Sequence, residues 1–201
     1  MPRVGLAAAA LLLVSTRLVA QEKQVRPFAA IAFKGSTTYA LGEEGASKRH
    51  GMLGLGVALV GDIVGIEGDL SWGPRFFEPD SKRLVLKSGV TTATANVIVT
   101  LPRRLTEYTL RPYFVGGAGA MHFSIDDVFG VFSPSKTLVG YDIGGGAVGY
   151  LSNRTGVAWD VRRFGTLDPA DDPGLTTQAG GTPAAGRLSF WRASMALVVR
   201  Y

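Results

Sequence analysis

The sequence predicts an all-β fold, namely an eight-stranded antiparallel transmembrane β-barrel with up-and-down meander connectivity that follows an N-terminal signal peptide. Beyond residue 20, apolar and polar side chains alternate with a period of two, which is typical of strands whose two faces meet different surroundings. The connections between these segments alternate in length, as they do in barrels that cross a membrane. The last segment, 187–201, is long for a strand of a soluble domain and ends on the aromatic Tyr201.

The N-terminus has the pattern of an export signal. Arg3 precedes an apolar run over residues 4–14, which is shorter than the roughly 20 residues that a spanning helix needs. We expect cleavage after Ala20. The chain then divides into a signal peptide, 1–20, and one membrane β-barrel domain, 21–201.

Composition narrows the class of function. The formal net charge is +5, but Lys and Arg are scattered among strands and turns, so nucleic acid is not an expected partner. The sequence has no cysteine, so we expect neither a disulfide nor a lipid anchor on a cysteine. The 27 glycines are concentrated in apolar alternating segments, which indicates strands packed closely inside a narrow barrel.

The third strand shows the clearest alternation in the first half of the chain. The first four strands are predicted at 25–34, 50–60, 63–72 and 87–101. In the third, the predicted outward residues are Val64, Ile66, Leu70 and Trp72. The predicted inward residues are Gly65, Glu67, Asp69 and Ser71. An apolar outer face and a polar inner face indicate a strand between lipid and a polar lumen.

The last strand repeats this pattern in the second half of the chain. The remaining four strands are predicted at 109–123, 137–151, 156–164 and 187–201. The faces of the first of these are too similar to assign. In the last, the predicted outward residues are Trp191, Ala193, Met195, Leu197, Val199 and Tyr201. The predicted inward residues are Phe190, Arg192, Ser194, Ala196, Val198 and Arg200.

The lengths of the connections predict how the barrel is oriented in the membrane. The long ones are predicted at 35–49, 73–84, 124–136 and 165–186. The short ones are predicted at 61–62, 102–107 and 152–155. Membrane barrels of this kind have short periplasmic turns and longer extracellular loops, so both termini are expected in the periplasm.

Several segments carry a family resemblance. They are Arg111–Ala120, Asp142–Tyr150, Gly156–Phe164 and the terminal Tyr201. With them the chain resembles the small eight-stranded outer-membrane barrels of the outer-membrane protein A/X type over essentially its whole mature length. The resemblance implies the outer membrane of a Gram-negative-type bacterium, contact with its lipid and lipopolysaccharide, and a structural or surface-interaction role. It implies no cofactor, and it leaves any extracellular ligand of the loops unidentified.

The resemblance extends to the end of the chain. Barrels of this type usually end on an aromatic residue that follows apolar residues at alternate positions. The matching residues here are Met195, Leu197, Val199 and Tyr201. By resemblance, this strand is the signal that the barrel-assembly machinery reads.

Charged side chains are predicted inside the barrel. They are Glu67, Asp69, Asp142, Asp160, Arg162, Arg192 and Arg200. An eight-stranded barrel is just wide enough for side chains to fill, and charges in so small a space must be paired. The sequence therefore predicts a lumen plugged by a charged side-chain network, with a small passive pore as the alternative.

Two further alternatives belong to other classes. A soluble ligand-binding barrel of the lipocalin type needs an apolar interior, which disagrees with Glu67 and Asp69 on one face. An embedded lipid-modifying enzyme needs a histidine with nucleophilic and acidic partners. For it the sequence offers His122, Ser124 and Asp126.

Other motifs are interpreted as structural. Residues 144–149 match G-x-G-x-x-G, but they lie in a strand without a helix to receive a pyrophosphate. The segment 168–173 is rich in aspartate and is interpreted as a solvated loop, with weak cation or lipopolysaccharide contact as the alternative. Aromatic residues near strand ends are interpreted as two interfacial girdles. These are Trp72, Phe76, Phe77, Phe123 and Phe164 at the loop side, and Phe28, Tyr150 and Tyr201 at the turn side.

Overall fold

In the computed structural model, the protein is a closed antiparallel barrel of eight strands in meander order. The structure describes residues 22–37, 48–76, 85–102, 110–127, 135–167 and 188–201. The strands are β1 (Glu22–Thr37), β2 (His50–Val60), β3 (Val64–Pro74), β4 (Val85–Thr100), β5 (Leu110–Asp127), β6 (Ser135–Tyr150), β7 (Thr155–Thr166) and β8 (Leu188–Arg200). β8 pairs with β1, so the sheet closes without a free edge. No helix in these ranges is long and apolar enough to cross a bilayer.

The largest difference at a single strand boundary is at the end of β5. This strand runs to Asp127, beyond its predicted end, because its ladder with β4 continues to Val85. As a result, the connection 101–109 is longer than the connection 128–134. The strict alternation of long and short connections is therefore wrong at this pair, although 38–49, 75–84 and 167–187 all exceed 61–63 and 151–154 in length.

The outer wall of the barrel is apolar. Leu53 is 61% exposed, Met195 64% and Phe114 73%, and similar residues surround them on every strand. A soluble protein rarely exposes so continuous an apolar surface, whereas a membrane barrel presents such a band to lipid. The outward and inward faces predicted for β3 and β8 are confirmed, and a lipocalin-type barrel with a polar exterior is excluded.

The structure assigns the faces of β5. Tyr113, Val115 and Met121 are buried in the lumen, and Phe114 points outward. The sequence could not settle this, because the middle of the strand, 116–120, consists of glycine and alanine on both faces. Neither face of that stretch carries a hydrophobic or polar signal.

A β-bulge interrupts β1 near its loop end. The register with β8 shifts between Phe33 and Ser36, and Lys34 has a φ of 51°. An extra residue at a bulge re-aims the side chains around it. Here Lys34, at the bulge, is exposed.

Candidate functional site

The lumen holds a cluster of charged side chains at mid-height. Six of the seven predicted residues belong to it, and none of the six is more than 7% exposed. They are Glu67, Asp69, Asp142, Asp160, Arg162 and Arg192. Each lies on the inward parity of its strand, so the alternation that makes the outer wall apolar also brings these charges together.

Arg162 is the centre of the cluster. Its Nη1 lies 2.6 Å from Glu67 Oε1 and 3.5 Å from Asp142 Oδ2, and its Nη2 lies 2.8 Å from Asp160 Oδ2. Asp69 Oδ2 is 3.7 Å from Nη1. One guanidinium on β7 thus joins carboxylates from β3, β6 and its own strand.

Arg192 forms a second, more directional pair. Its Nη1 and Nη2 donate to Asp69 Oδ1 and Oδ2 at 2.8 and 2.7 Å. This two-point geometry is the strongest that a guanidinium and a carboxylate can form. The same guanidinium lies between the rings of Phe28 and Phe164, at 4.6 and 4.7 Å from their centroids. These cation–π contacts cover its faces while its edge meets Asp69.

Sequence reasoning missed Arg26 and Tyr113 as members of the cluster. Arg26 Nη1 lies 3.0 Å from Glu67 Oε2, and the Tyr113 hydroxyl donates to Asp160 Oδ2 at 2.9 Å. Arg26 shares its parity with the buried Phe28, so the alternation of β1 could have revealed it. Nothing in the sequence could have indicated Tyr113, because the faces of β5 were unassigned.

Asn96 completes the hydrogen bonding of one carboxylate. With its amide nitrogen toward Asp142, Asn96 donates to Asp142 Oδ1 at 2.7 Å, and its oxygen accepts from Arg162 Nη1 at 3.2 Å. The amide therefore links a cation and an anion that are themselves 3.5 Å apart. Such additional hydrogen bonds are what buried ion pairs require if they are to offset their desolvation.

Arg200, the seventh predicted residue, lies apart from this cluster. Its Nη1 is 3.1 Å from Glu22 Oε1, and its guanidinium carbon lies 4.1 Å from the ring centroid of Tyr150. Its Nη2 donates to the carbonyl of Ser152 in the last turn. These contacts connect β1, β6 and the last turn at the turn-side end of the barrel. Arg200 lies apart from the central cluster because it stands at the very end of β8, whereas Arg192 stands near mid-strand.

An aromatic layer lies on the loop side of the charges. The rings of Phe164 and Phe190 stack at 5.1 Å, Phe76 meets Phe190 at 5.2 Å, and His50 lies 4.9 Å from Phe76. The predicted girdle is therefore wrong for Phe76 and Phe164, which are fully buried in the barrel.

Two further girdle residues, Phe28 and Phe123, are also inside, and Tyr150 is partly buried against the core. Only outward parity places an aromatic ring in lipid, and these residues have inward parity. Trp72 and Tyr201 are exposed, in keeping with an interfacial position, and Phe77 lies outside the described residues.

Glycines on β6 make room for the charges. Gly144 is paired with Arg162 and Gly146 with Asp160. A Cβ on Gly146 would lie 2.6 Å from Asp160 Cβ and 2.8 Å from Asp160 Cα. The G-x-G-x-x-G match therefore reflects close packing against the charged residues of β7.

The cavity among the charged side chains is small. The cavity among Arg26, Glu67, Tyr113 and Arg162 has a volume of about 10 Å³, which is room for a single water molecule. The charged side chains and the aromatic layer thus fill the centre of the barrel.

The two histidines occupy different surroundings. His50 faces the lumen beside Phe76, whereas His122 Nδ1 lies 2.9 Å from Thr137 Oγ1 on the exposed outer face. Ser124 is in register with Gly89 and Ser135. Within the described ranges, no group of three His, Asp or Glu side chains could hold a metal ion. The aspartate-rich segment 168–173 lies outside those ranges.

Comparison with known proteins agrees with this architecture. The model of the family described as outer membrane protein beta-barrel domain matches residues 6–181. Among solved structures, the chain is similar to Neisserial surface protein A, with a TM-score of 0.60, 13% identity and coverage of 89% of this chain and 97% of that one. It is also similar to the outer membrane protein OprG from Pseudomonas aeruginosa, with a TM-score of 0.54, 13% identity and coverage of 90% and 96%. No curated protein sequence matches it.

At such identities the solved structures show the fold, while the match over most of the sequence shows the family. The chain belongs to the outer membrane protein beta-barrel domain family and is an integral protein of the Gram-negative outer membrane.

Proposed function

We propose that the protein serves the outer membrane as a closed barrel with a structural or surface-interaction role. The observation that carries this is the central charge cluster, in which Arg162 joins Glu67, Asp142 and Asp160 across the lumen. A network that ties opposite walls together makes the barrel rigid. A rigid barrel is a suitable support for the connections that the sequence predicts on the outside, of which the one between β7 and β8 is the longest.

The small cavity among the charged side chains supports a closed barrel over a passive pore. A cavity of about 10 Å³ is too small for a hydrated ion. The aromatic layer around Phe190 covers the charges on the loop side. An ion path would require both layers to move together.

Planar-bilayer recording tests this proposal. The refolded mature chain should insert without discrete conductance steps. Replacing Glu67 and Arg162 together by alanine removes two large side chains from the centre and should create measurable leakage. Stepwise conductance of the unaltered protein, changed in amplitude by E67Q, would establish the pore instead.

The surface role needs a separate experiment. Cells that lack the protein should show altered envelope resistance to detergent or altered surface binding. A chain with the segment 168–186 replaced by a short Gly-Ser linker should restore the envelope resistance but not the binding. If neither property changes in cells without the protein, the proposed role is wrong.

We also infer that the barrel acts without catalysis. Support comes from the hydrogen bond between His122 and Thr137, which occupies Nδ1 of the imidazole on the outer face. The part of the lumen that the structure describes contains paired charges around a cavity of only about 10 Å³. Loss of a lipid-modifying activity on His122→Ala would contradict this inference.

Assembly through the last strand is the remaining part of the proposal. Met195, Leu197 and Tyr201 all point outward and are more than half exposed, and Val199 shares their parity. β8 is also the strand that closes the barrel against β1. We propose that the assembly machinery recognises this apolar row before closure.

A further inference from the structure

One cation lies on the lipid-facing wall without an acidic partner among the residues that the structure describes. Arg163 is exposed and points outward from β7. Its cross-strand neighbours are the lipid-facing Ile143 on β6 and Trp191 on β8. Its guanidinium carbon lies 5.8 Å from the centroid of the Trp191 ring. The indole thus contacts the guanidinium, but no carboxylate among the described residues neutralises its charge.

The depth of Arg163 places it in the outer half of the membrane. β7 begins at Thr155 on the turn side and ends at Thr166 on the loop side. With a rise of about 3.3 Å per residue and a tilt of about 40°, Arg163 lies about 20 Å above the start of the strand. The apolar band of such barrels is about 25 Å tall. The long side chain can therefore reach the outer headgroup region.

A second exposed cation, Lys34, lies at the β1 bulge, two strands away from Arg163. Phe33 on β1 is paired with Trp191, which is paired with Arg163, so the three residues form a row across β7, β8 and β1. Lys34 follows Phe33 and is exposed at the bulge, with its positive φ. Adjacent strands lie about 4.8 Å apart, so the backbones at Arg163 and Lys34 are about 10 Å apart. Two long cationic side chains can close that distance on one anionic headgroup.

We propose that Arg163, Trp191 and Lys34 form a binding site on the outer wall for the phosphorylated headgroup of lipopolysaccharide. The guanidinium matches phosphate in charge and in its two-point hydrogen bonding, and the indole suits the boundary between acyl chains and headgroups. The site lies in the outer leaflet, where this phosphoglycolipid is the anionic lipid. The arginine that would be unfavourable in hydrocarbon becomes favourable once a phosphate pairs with it.

Native mass spectrometry of the refolded mature chain in zwitterionic micelles tests the site. The probes are bisphosphorylated lipid A, the same lipid after phosphatase treatment, and phosphatidylglycerol. The unaltered protein should retain bisphosphorylated lipid A over both other lipids. R163Q should lower that retention about fivefold, the effect expected for one cation near a charged surface. K34Q should lower it in the same direction, and the double variant further.

The matched control is K23Q. Lys23 is an exposed cation of β1 at the turn-side end of the wall, so its loss should leave lipid A retention unchanged. A difference in gel mobility between unboiled and boiled samples confirms that each variant is folded before it is compared. The proposal fails if R163Q and K34Q both retain lipid A like the unaltered protein. It fails equally if dephosphorylated lipid A or phosphatidylglycerol binds as well as the bisphosphorylated form.

Discussion

Arg162 Nη1 lies 2.6 Å from Glu67 Oε1, although the two residues belong to β7 and β3, which stand on opposite sides of the eight-stranded barrel. The contact therefore spans the lumen. Neither residue can keep its partner unless the whole sheet is closed. The charge pair therefore forms only when the hairpins between β3 and β7 have the correct register.

The first expectation concerns the loss of this central cation. R162M keeps much of the side-chain volume but leaves Glu67, Asp142 and Asp160 without their shared partner. Removing one member of a buried ion network typically costs about 3–5 kcal/mol. We expect a fall of that size in the free energy of unfolding, measured by urea titration in micelles with tryptophan fluorescence.

Arg200 provides the control for R162M. It also forms an ion pair, with Glu22, but at the partly exposed turn-side end. R200Q should lower the free energy of unfolding by about 1 kcal/mol or less. An unfolding curve of R162M that coincides with that of R200Q would mean that the central network contributes no more than the peripheral pair.

Strand positions and faces follow from alternation, but the contacts across the lumen do not. The parity of β3 and β8 was sufficient to place Glu67 and Arg192 inside. Which carboxylate each arginine meets depends on the tilt and register of the closed sheet, which no local pattern contains. The separation of Arg200 from the cluster and the inclusion of Arg26 both follow from height along the barrel axis.

Parity also explains the error in the aromatic girdle. Phe164 has the same parity as Arg162 and Asp160, so it faces the lumen although it lies near a strand end. The predicted girdle rested on position along the strand and neglected this alternation. In β5 parity itself gave no answer, because 116–120 is glycine and alanine on both faces.

A second expectation concerns the lumen-facing glycines. In G146A the new Cβ would collide with Asp160 Cα and Cβ, so β6 or β7 must shift. Forcing an extra methyl group into a packed interior costs about 1–3 kcal/mol. Urea titration should show this loss. Gels of unboiled samples should also show a lower fraction of folded barrel.

G68A is the matched comparison for G146A. Gly68 is also inside a strand, but a Cβ there meets nothing within 4 Å on the outer face. Its free energy of unfolding should stay within about 0.5 kcal/mol of the unaltered protein. Equal losses in the two variants would show that the effect comes from glycine as such and not from the charges it faces.

A third expectation concerns the N-terminus. If residues 1–20 form a signal peptide, protein isolated from outer membranes should begin at Gln21, as intact mass or N-terminal sequencing would show. A20R places a large cation before the expected cleavage site and should leave the longer, unprocessed chain. A protein of full sequence length in the outer membrane would contradict the interpretation.

The last expectation separates assembly from stability at the C-terminus. Tyr201 is 82% exposed and follows the outward row of β8, so its ring contributes little to the packing of the lumen. Y201A should therefore refold in detergent as the unaltered chain does, with the same urea midpoint. In cells, the amount of Y201A that resists denaturation in unboiled samples should fall several-fold if the assembly machinery recognises this strand before closure, as we propose. Y201F retains the aromatic ring and should restore the cellular amount. A matching decline of Y201A in detergent and in cells would instead assign Tyr201 a role in stability alone.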